Sequence, residues 1–182
     1  MSKTSASLES LKDTMLNLKI SKIEEVNNIL TFTINNINVS YINAIRRVIL
    51  ANIPILVFKS EPYEKNNINI ISNKTRLNNE IIKQRISSIP VYIDDIKSFP
   101  YKDYIFEIDV KNDTQEILYI TTNDFKIKNI NSDTYLSKSD VNKIFPPNNI
   151  TNDYIIISRL RENIGDNIDC EELILNANLE IG

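Results

Sequence analysis

SYINAIRRVILANIPIL, residues 40–56, decides how the rest of the chain is read. Wound as a helix at about 100° per residue, Tyr41, Ile42, Ala44, Ile45, Val48, Ile49 and Ala51 share one wide apolar arc. Asn43, Arg46 and Arg47 collect on the opposite face with Leu50. Ser40 is the expected N-cap, because its hydroxyl can accept from a free N–H of the first turn. Pro54 ends the helix, since it cannot continue the ladder and drives Ile53 toward an extended conformation. An arc this wide predicts more than one packing surface, such as the chain's own sheet and a second body.

The two arginines lack local compensation. No Asp or Glu stands between Val26 and Ser60, so neither has an acidic neighbour one helical turn away. One reading is a solvated helix face. The other is a docking face built on guanidinium–carboxylate forks.

Beyond this stretch, 182 residues are enough to bury a real core. A net charge of −3 and a pI near 5.1 argue against a general nucleic-acid binder, which carries a basic stripe. Cys170 is the single cysteine, which excludes an internal disulfide and any multi-cysteine metal site and points to a reducing compartment. No long apolar run opens the chain, so neither a signal peptide nor a membrane anchor is expected. Heavy use of Ile, Asn and Lys fits an AT-rich genome.

Upstream, residues 1–13 read as a flexible lead-in. Leu16, Leu18 and Ile20 alternate with polar residues as a strand, and after a turn at 24–28 so do Leu30, Phe32 and Ile34. Together they predict a hairpin, one face of which the helix arc can cover. Downstream, 55–58 reads as a buried strand and 66–71 as another. Thr75 is the expected cap of a second helix with Leu77, Ile81, Ile82, Ile86 and Ile89 on its apolar side, closed by Pro90. Strands follow at 104–111, 116–122 and 124–130. Residues 131–149 read as a polar connector stiffened by Pro146–Pro147. Residues 154–158 and the alternating Leu173, Leu175, Ala177 and Leu179 supply the last strands. The order predicts an α+β fold with a largely antiparallel sheet.

Enzyme chemistry has little to work with. There is no histidine, which removes Ser-His-Asp and Cys-His catalysis and His-based metal sites. With only Gly165 and Gly182, no phosphate-cradling glycine loop can be written. Asp94–Asp95 and Glu171–Glu172 are adjacent pairs, and neighbours on a strand point to opposite faces, so they read as solvated charge. No catalytic residue, metal ligand or cofactor is assigned. The chain reads as a binding or assembly module.

Residues 43–51 with Ile53–Pro54 resemble the N-A-L-R-R-I-L-L-A…V-P signature of the α-like subunits of multisubunit DNA-dependent RNA polymerase. That family comprises the bacterial α N-terminal domain, its archaeal α-like counterpart and the third subunit of eukaryotic polymerase II. A second match follows in order: residues 75–91, TRLNNEIIKQRISSIPV, resemble S-x-L-x-D-E-x-x-A-H-R-L-G-L-I-P-L of the archaeal and eukaryotic branch, keeping Leu77, Glu80, Arg85, Ile89 and Pro90. Residues 106–110 with 121–125, and 154–160 with 178–182, are similar to the family's later strands. Gln84 and Ser87 depart from the family's His and Gly. The cysteines that hold a metal centre in some relatives are missing, so no cofactor is implied.

The resemblance implies a dimerisation domain from residues 14–58 plus 165–182, with an inserted β-rich domain at 59–164. The family's C-terminal helix is expected to be absent, making the polypeptide a fragment, a split gene product or a reduced form. The implied role is a non-catalytic assembly platform that pairs with a smaller α-like subunit and docks the second-largest and largest subunits. It implies no sequence-specific nucleic-acid contact and no membrane. On this resemblance Tyr41, Ile42, Ile45, Val48 and Ile49 would form the dimerisation face. Asn43, Arg46, Arg47, Glu80 and Arg85 would dock a large subunit. The implied location is intracellular: the nucleus of a eukaryotic cell, or the virion or host cytoplasm for a large DNA virus. The rival reading is a stand-alone interaction domain that reuses this fold for another partner.

Overall fold

The computed structural model describes residues 18–27, 29–93, 95–165 and 169–182. The expected lead-in at 1–13, Leu16 and Asp94 lie outside them. The fold is α+β, with three helices and only antiparallel strand pairs among the described residues. The chain forms two compact units, Met1–Ile53 and Pro54–Gly182.

The first unit contains a hairpin, β1 (Lys19–Val26) and β2 (Ile29–Asn35), followed by helix α1 (Val39–Ala51). The β1 strand starts and ends later than the alternation of Leu16, Leu18 and Ile20 suggested. A bulge explains the extension: Lys22 and Ile23 together oppose Phe32, with Lys22 at φ 53°. The extra residue changes the alternation, so a strict two-residue period stops short of the true strand end.

The N-cap of α1 is Asn38, not Ser40. Asn38 has extended φ/ψ, and its side-chain oxygen accepts from the Ser40 N–H at 2.9 Å. Ser40 is thus the capped residue in the second helical position. At the other end the Asn52 N–H reaches the Val48 carbonyl at 2.8 Å. No residue of α1 is buried, and the described hairpin residues are exposed or half-buried. The expected covering of the hairpin by the helix arc is not found. Among the described residues of this unit, a two-stranded ribbon and one helix enclose no core.

The second unit holds the core. Its main sheet has the order β4 (Ile68–Asn73), β10 (Glu172–Ala177), β5 (Tyr104–Lys111), β7 (Lys126–Asn129), β8 (Thr134–Tyr135). Two pairs complete it: β3 (Leu56–Phe58) with β11 (Leu179–Ile181), and β6 (Leu118–Thr121) with β9 (Ile156–Leu160). Leu173, Leu175 and Ala177 on β10 are buried opposite Val110, Ile108 and Phe106 of β5. Helix α2 (Asn79–Ser87) adds Ile82, Ile86 and the following Ile89. Phe58, Phe106, Phe125 and Phe145 meet at the centre, with Phe125 and Phe145 stacked at 4.9 Å and Phe58 edge-on to Phe106 at 5.2 Å.

Three expectations are corrected here. Asn78, not Thr75, caps α2: its side chain accepts from the Ile81 N–H at 2.9 Å, while the Thr75 hydroxyl is tied to Leu77 in a local turn. Ile81 is 41% exposed and lies off the buried stripe, because the sheet meets only the narrow row at 82, 86 and 89. Residues 131–149 are not a plain connector. They contain β8 and helix α3 (Lys138–Ile144), capped by Ser137, whose Val141, Ile144 and adjoining Phe145 are buried.

A polar hub closes one end of the sheet. Asn112 is fully buried; its Nδ2 donates to the carbonyls of Glu116 and Arg161, each at 2.8 Å, and its Oδ1 accepts from the Thr114 hydroxyl at 2.7 Å. Glu171, expected from its adjacent pair as solvated charge, is instead buried; it accepts from the Arg161 backbone N–H at 2.8 Å and from its Nε at 2.5 Å, which a local sequence pair cannot show. Burial alone would raise the Glu171 carboxyl pKa. The Arg161 hydrogen bonds and the nearby Arg161 and Arg76 charges outweigh it, so the carboxyl titrates below its ordinary range.

Candidate protein-interaction surfaces

The five residues expected on a dimerisation face sit on α1 as a wide, bare apolar arc. Tyr41, Ile42 and Ile45 are 38%, 37% and 44% exposed, and Val48 and Ile49 are 53% and 55%. A contiguous apolar stripe left open on a helix is the kind of surface that marks a protein contact. Leu18, Ile20, Leu30 and Phe32 of the hairpin are exposed as well. Sequence periodicity found the arc; that it stays uncovered could not be read from periodicity.

On the other face, the Asn43 side-chain oxygen accepts from Arg46 Nε at 3.2 Å and Nη2 at 3.0 Å. The Asn thus acts as a one-turn brace that orients the guanidinium along the helix while leaving its charge unneutralised. Arg47 is exposed, and neither arginine has an ion-pair partner among the described residues. Among the described residues, then, no acid neutralises this basic face.

Glu80 and Arg85 are on α2, in the other unit, at its first and last turns, where each complements the helix dipole. No ion pair joins them among the described residues. Arg85 instead donates from Nη1 to the Ile157 carbonyl of β9 at 3.0 Å. The sequence reading missed Ile155 and Ile156 beside it, both exposed. Their signal was faint, since a continuous apolar run reads as a strand buried on both faces.

No group of His, Cys, Asp and Glu among the described residues could hold a metal ion. No helix among them is long and apolar enough to cross a membrane. Cys170 accepts a long contact from Asn163 Nδ2 at 3.4 Å and lies half-buried.

The fold is that of a mixed α+β protein with open apolar and basic faces among the described residues. Among known proteins, DNA-directed RNA polymerases I and III subunit rpac1 of Dictyostelium discoideum is 30% identical over 104 residues, 52% of this chain. Those residues span 28% of that protein's length, so less than a third of the curated relative is matched. No family model matches the chain. The chain is therefore distantly similar to an RNA polymerase subunit, in agreement with the resemblance carried by residues 43–54 and 75–91.

Proposed function

We propose that this chain is a non-catalytic assembly subunit of a DNA-directed RNA polymerase. The observation that carries the reading is α1: a helix with a wide apolar arc and no buried residue. A chain of this kind leaves too much apolar surface in water unless another body covers it. The distant similarity to an RNA polymerase subunit supports naming that body as another polymerase chain.

In this reading Tyr41, Ile42, Ile45, Val48 and Ile49 pair with a smaller α-like subunit. Asn43, Arg46 and Arg47, with Glu80 and Arg85 on α2, dock the large subunits, the three arginines through guanidinium forks to carboxylates on those subunits. Residues 14–58 with 165–182 form the dimerisation domain around the insertion 59–164; within the second unit, the pairing of β11 with β3 supports only the link between the chain's end and residues 56–58. Nucleotidyl transfer belongs to the other chains.

The test is Arg46→Ala with Arg47→Ala. Neither side chain supports the fold, so the isolated chain should melt as the unmodified one does, while recovery of large subunits with a tagged chain drops. Equal recovery overturns the assignment of these arginines.

A further inference from the structure

Helix α2 carries two stripes. Ile82, Ile86 and Ile89 turn inward and are buried; Ile81, Gln84, Arg85 and Ser88 turn outward at one-turn spacing. With Ile155, Ile156 and an edge of Ile89 they line a shallow, open depression of about 670 Å3. Among the described residues, Arg85 is the one charged residue in its wall. Around it stand Ile81, Ile155 and Ile156, at 41%, 45% and 52% exposure.

The arginine is tethered but not compensated. Its bond to the Ile157 carbonyl holds the side chain against β9, and this is one donor of the five a guanidinium offers. Among the described residues no carboxylate lies within ion-pair distance of it. Water satisfies such a group while the depression is open. An apolar partner that excluded the water would strand the charge unless it brought its own anion. On a protein partner, the anion that one guanidinium fork matches in charge and plane is a single carboxylate. The isoleucines select for apolar neighbours on either side of that carboxylate.

We propose that this depression docks an apolar segment of a partner protein bearing one Asp or Glu, which forks onto Arg85 while its neighbours cover Ile81, Ile155 and Ile156. The inference rests on the assembly-subunit reading for the source of the partner, and it names the chemistry of that contact. It does not depend on α1.

The experiment uses the tagged full chain expressed in its source cells, with a photo-crosslinking benzoylphenylalanine at position 155. The cross-linked peptide should come from a polymerase subunit and carry an Asp or Glu beside apolar residues. Arg85→Glu should lower the cross-link yield by about tenfold or more, Arg85→Lys less. Changing the partner's acid to Arg in the Arg85→Glu background should restore it. Arg85→Glu gives up the Ile157 hydrogen bond and the favourable charge at the end of α2, so the isolated chain should still fold and melt cooperatively, with a midpoint only a few degrees lower. A cross-link to a second copy of this chain, a peptide without an acid, or an unchanged yield in Arg85→Glu overturns the inference while the polymerase subunits still co-purify. Their absence from the unmodified purification overturns the assembly reading and this inference together.

Discussion

Truncating the arc of α1 should weaken association without loosening the chain, and the size of the effect follows from exposure. Ile42, Ile45 and Ile49 are 37%, 44% and 55% exposed. Burying a whole isoleucine side chain is worth about 1.5–3 kcal/mol, so finishing the burial of one that is roughly half exposed is worth about 1 kcal/mol. Replacing all three with alanine should therefore cost about 3 kcal/mol of partner affinity, or about a hundredfold in Kd. The isolated chain should lose almost nothing, because none of the three is buried and alanine is a better helix former. Circular dichroism melting of the triple variant should overlay that of the parent chain. Mixed expression of tagged variant and untagged parent should show the variant strongly under-represented in assembled complexes. Equal representation would refute the reasoning, and so would unfolding of the isolated variant, which would mean the arc is already covered within the chain.

Other expectations follow from single residues. Phe145→Ala should destabilise the chain by about 3–5 kcal/mol in chemical denaturation, because Phe145 is buried against Phe125, Phe106 and Phe58. Glu171→Gln should cost about 2 kcal/mol at neutral pH, since Arg161 binds the charged form. The folded carboxyl titrates below the ordinary value near 4.5, so its contribution is full above the unfolded pKa and fades as pH falls through the folded one. Denaturation curves of parent and variant should accordingly converge in acid; a constant gap would contradict this. Asn38→Ala should speed amide exchange in the first turn of α1 by an amount equivalent to about 1 kcal/mol, whereas Ser40→Ala should leave it nearly unchanged.

Several elements were legible from pattern alone. The α1 arc, the alternation of Leu173, Leu175 and Ala177, and the buried row of α2 each follow from a period of 3.6 or 2. Helix starts were not. At both α1 and α2 a Ser or Thr lay near the boundary, but an Asn nearer the true start made the cap. In a chain so rich in Asn, several residues can cap equally well, and only φ/ψ decides among them. Helix α3 was hidden by its polar setting, although Ser137 followed by Asp140, with apolar residues at 141, 144 and 145, carried the pattern of a short capped helix. The bulge at Lys22–Ile23 and the hub around Asn112 arise from pairings distant in sequence, which no local period encodes. For the candidate surfaces, the sequence identified the arginines but not their surroundings. That Arg46 is braced by Asn43, and that Arg85 reaches a strand 72 residues away, are facts of tertiary placement.

The most direct measurement is the composition and native mass of the assembly that forms around the tagged chain in its source cells, purified at low salt so that charge-paired contacts survive. The account predicts one large stoichiometric complex containing a smaller α-like chain and the two largest polymerase subunits. Recovery of the chain by itself, or with partners unrelated to transcription, would contradict it.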